Sequence, residues 1–162
     1  MAETKETGVP AYSMPSDREL LITVNLDAPR ERVFSAWTDP EQLPHWLKGA
    51  EDLVLTVREL DLRPGGAWRF AWRDSKGKET ESHGKYKEVV FPKRTVYTDK
   101  WPDDLPETLN TMTFDEDNGR TTLSLHILYT SKETRDTALA TGMKDGMAFS
   151  FRNLQEYLHK GQ

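Results

Sequence analysis

The sequence predicts an α+β domain: one curved antiparallel sheet wrapped around a long C-terminal helix, with two short helices after the first strand. Three observations carry that expectation. Residues 53–129 hold successive period-two runs separated by hairpin-length turns, the signature of antiparallel strands. Residues 131–160 instead repeat apolar side chains at three- and four-residue spacings, so that they share one helix face. A sheet with one apolar face needs a cover, and that helix is the longest element available to supply it.

Taken in order, residues 1–16 are polar, with Gly8, Pro10 and Pro15, and read as a loose tail, leaving residues 17–162 as the single domain, with order expected from near Arg18. Glu19 to Leu26 is rich in branched residues and reads as a strand. Asp27-Ala-Pro29 starts a helix, because proline in a first turn gives up no needed N–H, and Val33, Phe34, Ala36 and Trp37 form its apolar side. Asp39 as cap and Pro40 as first residue start a second short helix with Leu43, Trp46 and Leu47 inward, ended by Gly49.

The period then changes to two. Leu53 to Leu62 is a strand, and Arg63-Pro-Gly-Gly66 suits a type II turn. Ala67 to Arg73 sends Trp68, Phe70 and Trp72 to one side and Arg69 and Arg73 to the other. Asp74-Ser-Lys-Gly77 leads into a strand over residues 80–90, and Phe91-Pro-Lys93 turns into another over 94–101. After a loop at 102–106 come a strand at 109–115, with Met112 and Phe114 on one face, an Asp117-Asn-Gly119 hairpin turn, and a strand over 121–129. The closing helix is expected to run unbroken from about Ser131 to Lys160. Thr130 and Glu133 would form its capping box, His159 and Lys160 suit its negative end, and Gly161 would be its left-handed stop. Met143, Met147, Ser150, Phe151, Leu154 and Leu158 make its buried stripe, opposite Lys144, Asp145, Arg152, Asn153 and Glu156. Gly142 and Gly146 sit inside it, each about 1 kcal/mol worse than alanine there, which implies close packing against the sheet or a cavity wall.

Composition removes several function classes. The chain has 162 residues, is 36% hydrophobic and 30% charged, and carries a net charge of −5, which fits one globular domain and argues against a nucleic-acid backbone or an anionic membrane as partner. It contains no cysteine, so disulfides, thiolate metal sites and cysteine nucleophiles are excluded. The N-terminal residues lack the apolar core of a signal peptide, and no apolar run approaches the roughly 20 residues needed to span a bilayer, so a cytoplasmic address is expected. His45, His83, His126 and His159 show no metal-ligand spacing. No metal or other cofactor is expected. His126 should face solvent and His45 should lie nearest a cavity mouth. Glu59 and Asp61 share an outward strand face near Arg58 and Arg63, where a solvated pairing is the simplest role. There is no phosphate-cradling loop and no nucleophile elbow.

Three runs, Asp27-Ala-Pro-Arg-Glu-Arg-Val-Phe-Ser-Ala-Trp-Thr-Asp-Pro40, Asp61-Leu-Arg-Pro-Gly-Gly-Ala-Trp-Arg-Phe70 and Gly142-Met-Lys-Asp-Gly-Met147, occur in order with Gly84-Lys-Tyr86 and Phe91-Pro-Lys-Arg94. Together they resemble the family named after the activator of the ninety-kilodalton heat-shock protein's ATPase, within the START-like, helix-grip superfamily, over about residues 18–159. The resemblance implies the helix-grip fold and a gap between helix and sheet that related proteins use for apolar ligands. Family members often carry a bulky aromatic where this chain has Leu47 and Met147, which implies a pocket of different shape. On that basis Trp46, Trp68, Phe70, Tyr86, Met112, Met143, Met147 and Ser150 are the expected lining of a site for a small apolar (lipid-like) or aromatic molecule, with the Tyr86 and Ser150 hydroxyls orienting a polar end. Two other readings follow from the resemblance. One is a cyclase- or hydrolase-type enzyme, for which Tyr86 is the one inward titratable group to be named, and which a buried carboxylate or histidine in the cavity would strengthen. The other is a chaperone contact or a homodimer contact.

Overall fold

The computed structural model describes residues 6–102 and 105–160. Eight antiparallel strands form one continuous sheet in the order β1-β2-β8-β7-β6-β5-β4-β3. They are β1 (Ala11–Ser13), β2 (Glu19–Leu26), β3 (Val54–Leu60), β4 (Ala67–Arg73), β5 (Glu79–Val90), β6 (Arg94–Asp99), β7 (Thr108–Asp117) and β8 (Arg120–Leu128). Helix α1 (Arg30–Thr38) follows β2, and α2 (Lys132–Leu139) and α3 (Met143–Lys160) close the chain. This is the expected α+β helix-grip architecture, with α3 held against the concave face of the sheet.

Turn chemistry sets the register. Gly66 N–H donates to the Arg63 carbonyl at 2.8 Å across a Gly65 with φ of 85°, the positive φ that a type II turn requires at that position. Asn118 and Gly119 both have positive φ, 52° and 78°, as the tight β7–β8 hairpin demands. Curvature has local causes too. Bulges interrupt the β3–β4 ladder between Val57 and Glu59 and the β5–β6 ladder between Tyr86 and Glu88. β5 itself turns the corner: residues up to Lys85 pair with β4, and Tyr86 onward pairs with β6. At that corner sits Gly84, where an added Cβ would lie 1.7 Å from the Thr98 carbonyl oxygen. Only glycine permits that approach.

Several expectations need correction. The closing helix is two helices, because Gly142 adopts a φ of 84° and breaks the chain between α2 and α3. Gly142 is therefore a left-handed turn residue rather than a helix-interior glycine. Ser131, not Thr130, caps α2, and its reciprocal partner is Thr134 rather than Glu133. The second short helix shrinks to a 3₁₀ turn, Leu43–His45, and Asp39 ends α1. Order begins before Arg18: β1 pairs with β2 through Ala11↔Thr23 to Ser13↔Leu21, and Gly8 N–H donates to the Asn25 carbonyl at 2.8 Å. Residues 1–5, Gly161 and part of the 102–106 loop lie outside the described residues.

The core lies at one end of the grip. Phe34 of α1 meets Phe114 of β7 with ring centroids 5.1 Å apart, and Phe151, Leu154 and Leu158 of α3 are buried beside them. A second face of α3 is tied to the segment after α1. Ser150 Oγ donates to the Lys48 carbonyl, Asn153 Nδ2 to the Trp46 carbonyl at 3.4 Å, and the Tyr157 hydroxyl to Gln42 Oε1 at 3.1 Å. Gly146 continues that line, with its Cβ position 3.3 Å from the Gly49 carbonyl oxygen. The close packing expected of Gly146 is thus against the loop that carries Gly49 rather than the sheet, and Gly146 also lines the cavity wall, the other place expected for it.

Candidate ligand-binding cavity

Toward the other end of the grip, α3 and the sheet do not close on each other. They enclose a cavity of about 570 Å³. Alternate residues of successive strands form its floor, as the two-residue strand period dictates. Trp68, Phe70 and Trp72 come from β4, Ser82 and Tyr86 from β5, and Thr95, Tyr97 and Asp99 from β6. Asn110 and Met112 of β7 and Leu125 and Ile127 of β8 continue it. Met143, Met147, Ser150 and Phe151 of α3 form the roof, and Trp37, Leu47 and Trp101 close the sides. The volume falls within the range of about 300–1,000 Å³ usual for small-molecule sites.

Seven of the eight expected lining residues therefore meet at one cavity: Trp68, Phe70, Tyr86, Met112, Met143, Met147 and Ser150. Trp46 does not. It is fully buried beneath Trp37, with ring centroids 4.6 Å apart, and its indole N–H is committed to the Ala36 carbonyl at 3.1 Å. Its neighbour on the cavity side is Trp37. Ser150 lines the wall, but its hydroxyl donates to Lys48 and so anchors the helix rather than a ligand. His45 is not at the mouth either; it stacks on Tyr157, 5.7 Å centroid to centroid. His126 lies on the outer face of the sheet, as expected, paired with Glu19. Asp61 pairs with Arg63 at 2.9 Å, and Arg58 with Glu79 at 2.7 Å, in exposed ion pairs of little energetic weight. Leu47 and Met147, the two positions where bulky aromatics are common in the family resemblance, both line the cavity.

With that geometry established, comparison with known proteins identifies the lineage. The family model described as "Activator of Hsp90 ATPase homolog 1-like protein" matches residues 27–159, most of the chain. The chain belongs to this family. No curated protein matches. Among solved structures, a protein of Rhodobacter sphaeroides superposes with a TM-score of 0.87 at 25% identity, covering 94% of this chain and 99% of that one. Protein Ms6760 of Mycobacterium smegmatis gives a TM-score of 0.83 at 26% identity, covering 91% and 95% of the two chains. DynU16, from the dynemicin biosynthetic locus, shares the fold at 20% identity and a TM-score of 0.69, covering 91% of this chain and 49% of its own. Among the described residues, no helix is long and apolar enough to cross a membrane, and no cluster of His, Asp and Glu could hold a metal ion.

Within this family member's cavity, the chemistry lies in residues that periodicity alone did not single out. Asp99 ends β6 in the cavity wall, with Oδ1 buried and without a hydrogen-bond partner. Burial raises its carboxyl from the usual 3.8 to about 7, only partly offset by a hydrogen bond from the Trp101 side chain. Burial and then the charge of Asp99 push the Tyr97 phenol well above its ordinary value, and the same two causes bring Tyr129 to about 12. Burial likewise holds the Tyr86 phenol far up, so it stays protonated. Among the described residues, Trp37 Nε1 is the other buried side-chain polar atom of the wall that lacks a partner. The signal for Asp99 was present as strand alternation: Thr95, Tyr97 and Asp99 fall on one face, and that face is the concave one.

Proposed function

We propose that this domain binds a small apolar or aromatic molecule in the cavity between α3 and the sheet. The observation that carries this reading is a cavity of about 570 Å³ walled by Trp68, Phe70, Trp72, Met112, Met143 and Met147. Cores pack to near-crystalline density, and a gap of this size forfeits dispersion contacts along its whole wall. Flexible methionines opposite fixed aromatics suit a site that adapts to its occupant. Backbone chemical-shift mapping against a library of small hydrophobic molecules tests it. Perturbations converging on residues 68–72, 112 and 143–147 are expected; shifts that never localise there would reduce the gap to imperfect packing.

One observation favours a second reading, catalysis of the cyclase or hydrolase kind. A carboxyl with a value near 7 can give and take a proton at neutral pH, and Asp99 has one beside Tyr97 and Tyr129. Mass spectrometry of each bound library member after incubation tests this. Asp99→Asn should abolish conversion while binding persists, and conversion that is unaffected by Asp99→Asn would exclude the carboxyl as acid or base.

A further inference from the structure

The lining of the cavity has a one-sided charge inventory. Among the described residues no Lys, Arg or His touches it, and Asp99 is its single carboxylate. The Asp99 acceptor Oδ1 has no donor from the protein. Its surroundings are aromatic: Trp101 hydrogen-bonds the carboxyl and stacks against Trp72 at 6.2 Å and 25°, while Tyr97 lies on the same strand face. A buried acceptor with no partner is destabilising, more so when charged, and a ligand donor would recover that loss. Aromatic faces within reach of the same point attract a cation.

We infer that the cavity selects molecules with an aromatic or apolar body and a protonated amine or other hydrogen-bond donor, read by Asp99, and rejects carboxylates of the same shape. This rests on the binding reading above and narrows its ligand class. A ligand carboxylate would enter a low-dielectric space already holding an ionisable carboxyl, with no lining cation to balance either. The groups facing Asp99 do not change this at neutral pH. Tyr97 and Tyr129 stay protonated there, and Arg135 of α2, which acts on Tyr129, is committed to the Ser16 carbonyl at 2.7 Å and to Asp136 at 3.0 Å. Trp37 Nε1, the unpartnered donor on α1, leaves room for a neutral acceptor elsewhere on the ligand.

Three probes of one shape separate the possibilities: 2-(1-naphthyl)ethylamine, 2-(1-naphthyl)ethanol and 1-naphthylacetate, each titrated into the full chain at pH 8 by calorimetry. The expected order is amine, then alcohol, then acetate, with amine and acetate differing at least tenfold. Amine affinity should fall as pH drops from 8 to 6, because protonating Asp99 removes the charge it pairs with. In Asp99→Asn the amine's advantage over the alcohol and its pH dependence should both vanish, while the alcohol still binds and near-UV circular dichroism shows an intact fold. Acetate binding as tight as the amine, or an unchanged order in Asp99→Asn, overturns the inference and leaves the binding reading standing. If none of the three probes binds, both fall together.

Discussion

Replacing Asp99 by Asn removes a carboxyl that burial holds protonated up to about pH 7 instead of the usual 3.8. The folded chain therefore keeps a proton that the unfolded chain has already released between those two values. Stability contributed by this group is greatest in acid and is lost as pH rises towards 7. The full shift corresponds to about 4 kcal/mol at one pKa unit per 1.36 kcal/mol, an upper figure because water entering the cavity would solvate the charge. Between pH 5 and 8 the part that can be sampled is about 3 kcal/mol. Tyr97 and Tyr129 lie too high to titrate in that window, so they cancel between parent and variant. Urea unfolding of both proteins at pH 5, 6, 7 and 8 measures the difference. Asp99→Asn should be near parity or slightly worse at pH 5 and clearly more stable at pH 8. Parallel curves, with a gap that does not change with pH, would mean that Asp99 is solvated like any surface carboxylate.

Other substitutions test the frame and the cavity separately. Gly84→Ala puts a Cβ 1.7 Å from the Thr98 carbonyl oxygen and 2.7 Å from Trp68 Nε1, so a loss of about 4 kcal/mol or more is expected; soluble, parent-like melting would show that the strand corner is not tight. Leu154→Ala empties a fully buried site on α3 and should lower unfolding free energy by about 2–5 kcal/mol by denaturant titration. Met147→Trp projects a large ring into open space rather than packed core. It should block naphthylethanol binding by calorimetry while changing stability by less than about 3 kcal/mol, and retained binding would move the site away from α3.

Much of this protein was legible from its residues one segment at a time. β2 spans the expected Glu19–Leu26, and the Pro64-Gly65 and Asn118-Gly119 turns have the positive φ values their types need. The single-file alternation of Trp68, Phe70 and Trp72 put all three on the concave face. These features are local: turn residues and side-chain period act within a few positions, and no distant contact overrides them here. The closing helix shows where local reading stops. Its apolar stripe was correct, but the stretch around Gly142 could equally continue a helix or break it, and in the folded chain Gly142 takes a φ of 84° and breaks it. Trp46 and Trp37 are the sharper case. Both are apolar, both sit near the end of a short helix, and only the tertiary fold decided that Trp46 would be sealed in the core while Trp37 faced the cavity. Asp99 follows the same logic. Its position on an inward strand face is written in the period of β6, but its unpartnered oxygen and raised carboxyl arise from its burial in the cavity wall. Burial depends on every neighbouring element at once, and the sequence of one strand does not contain them.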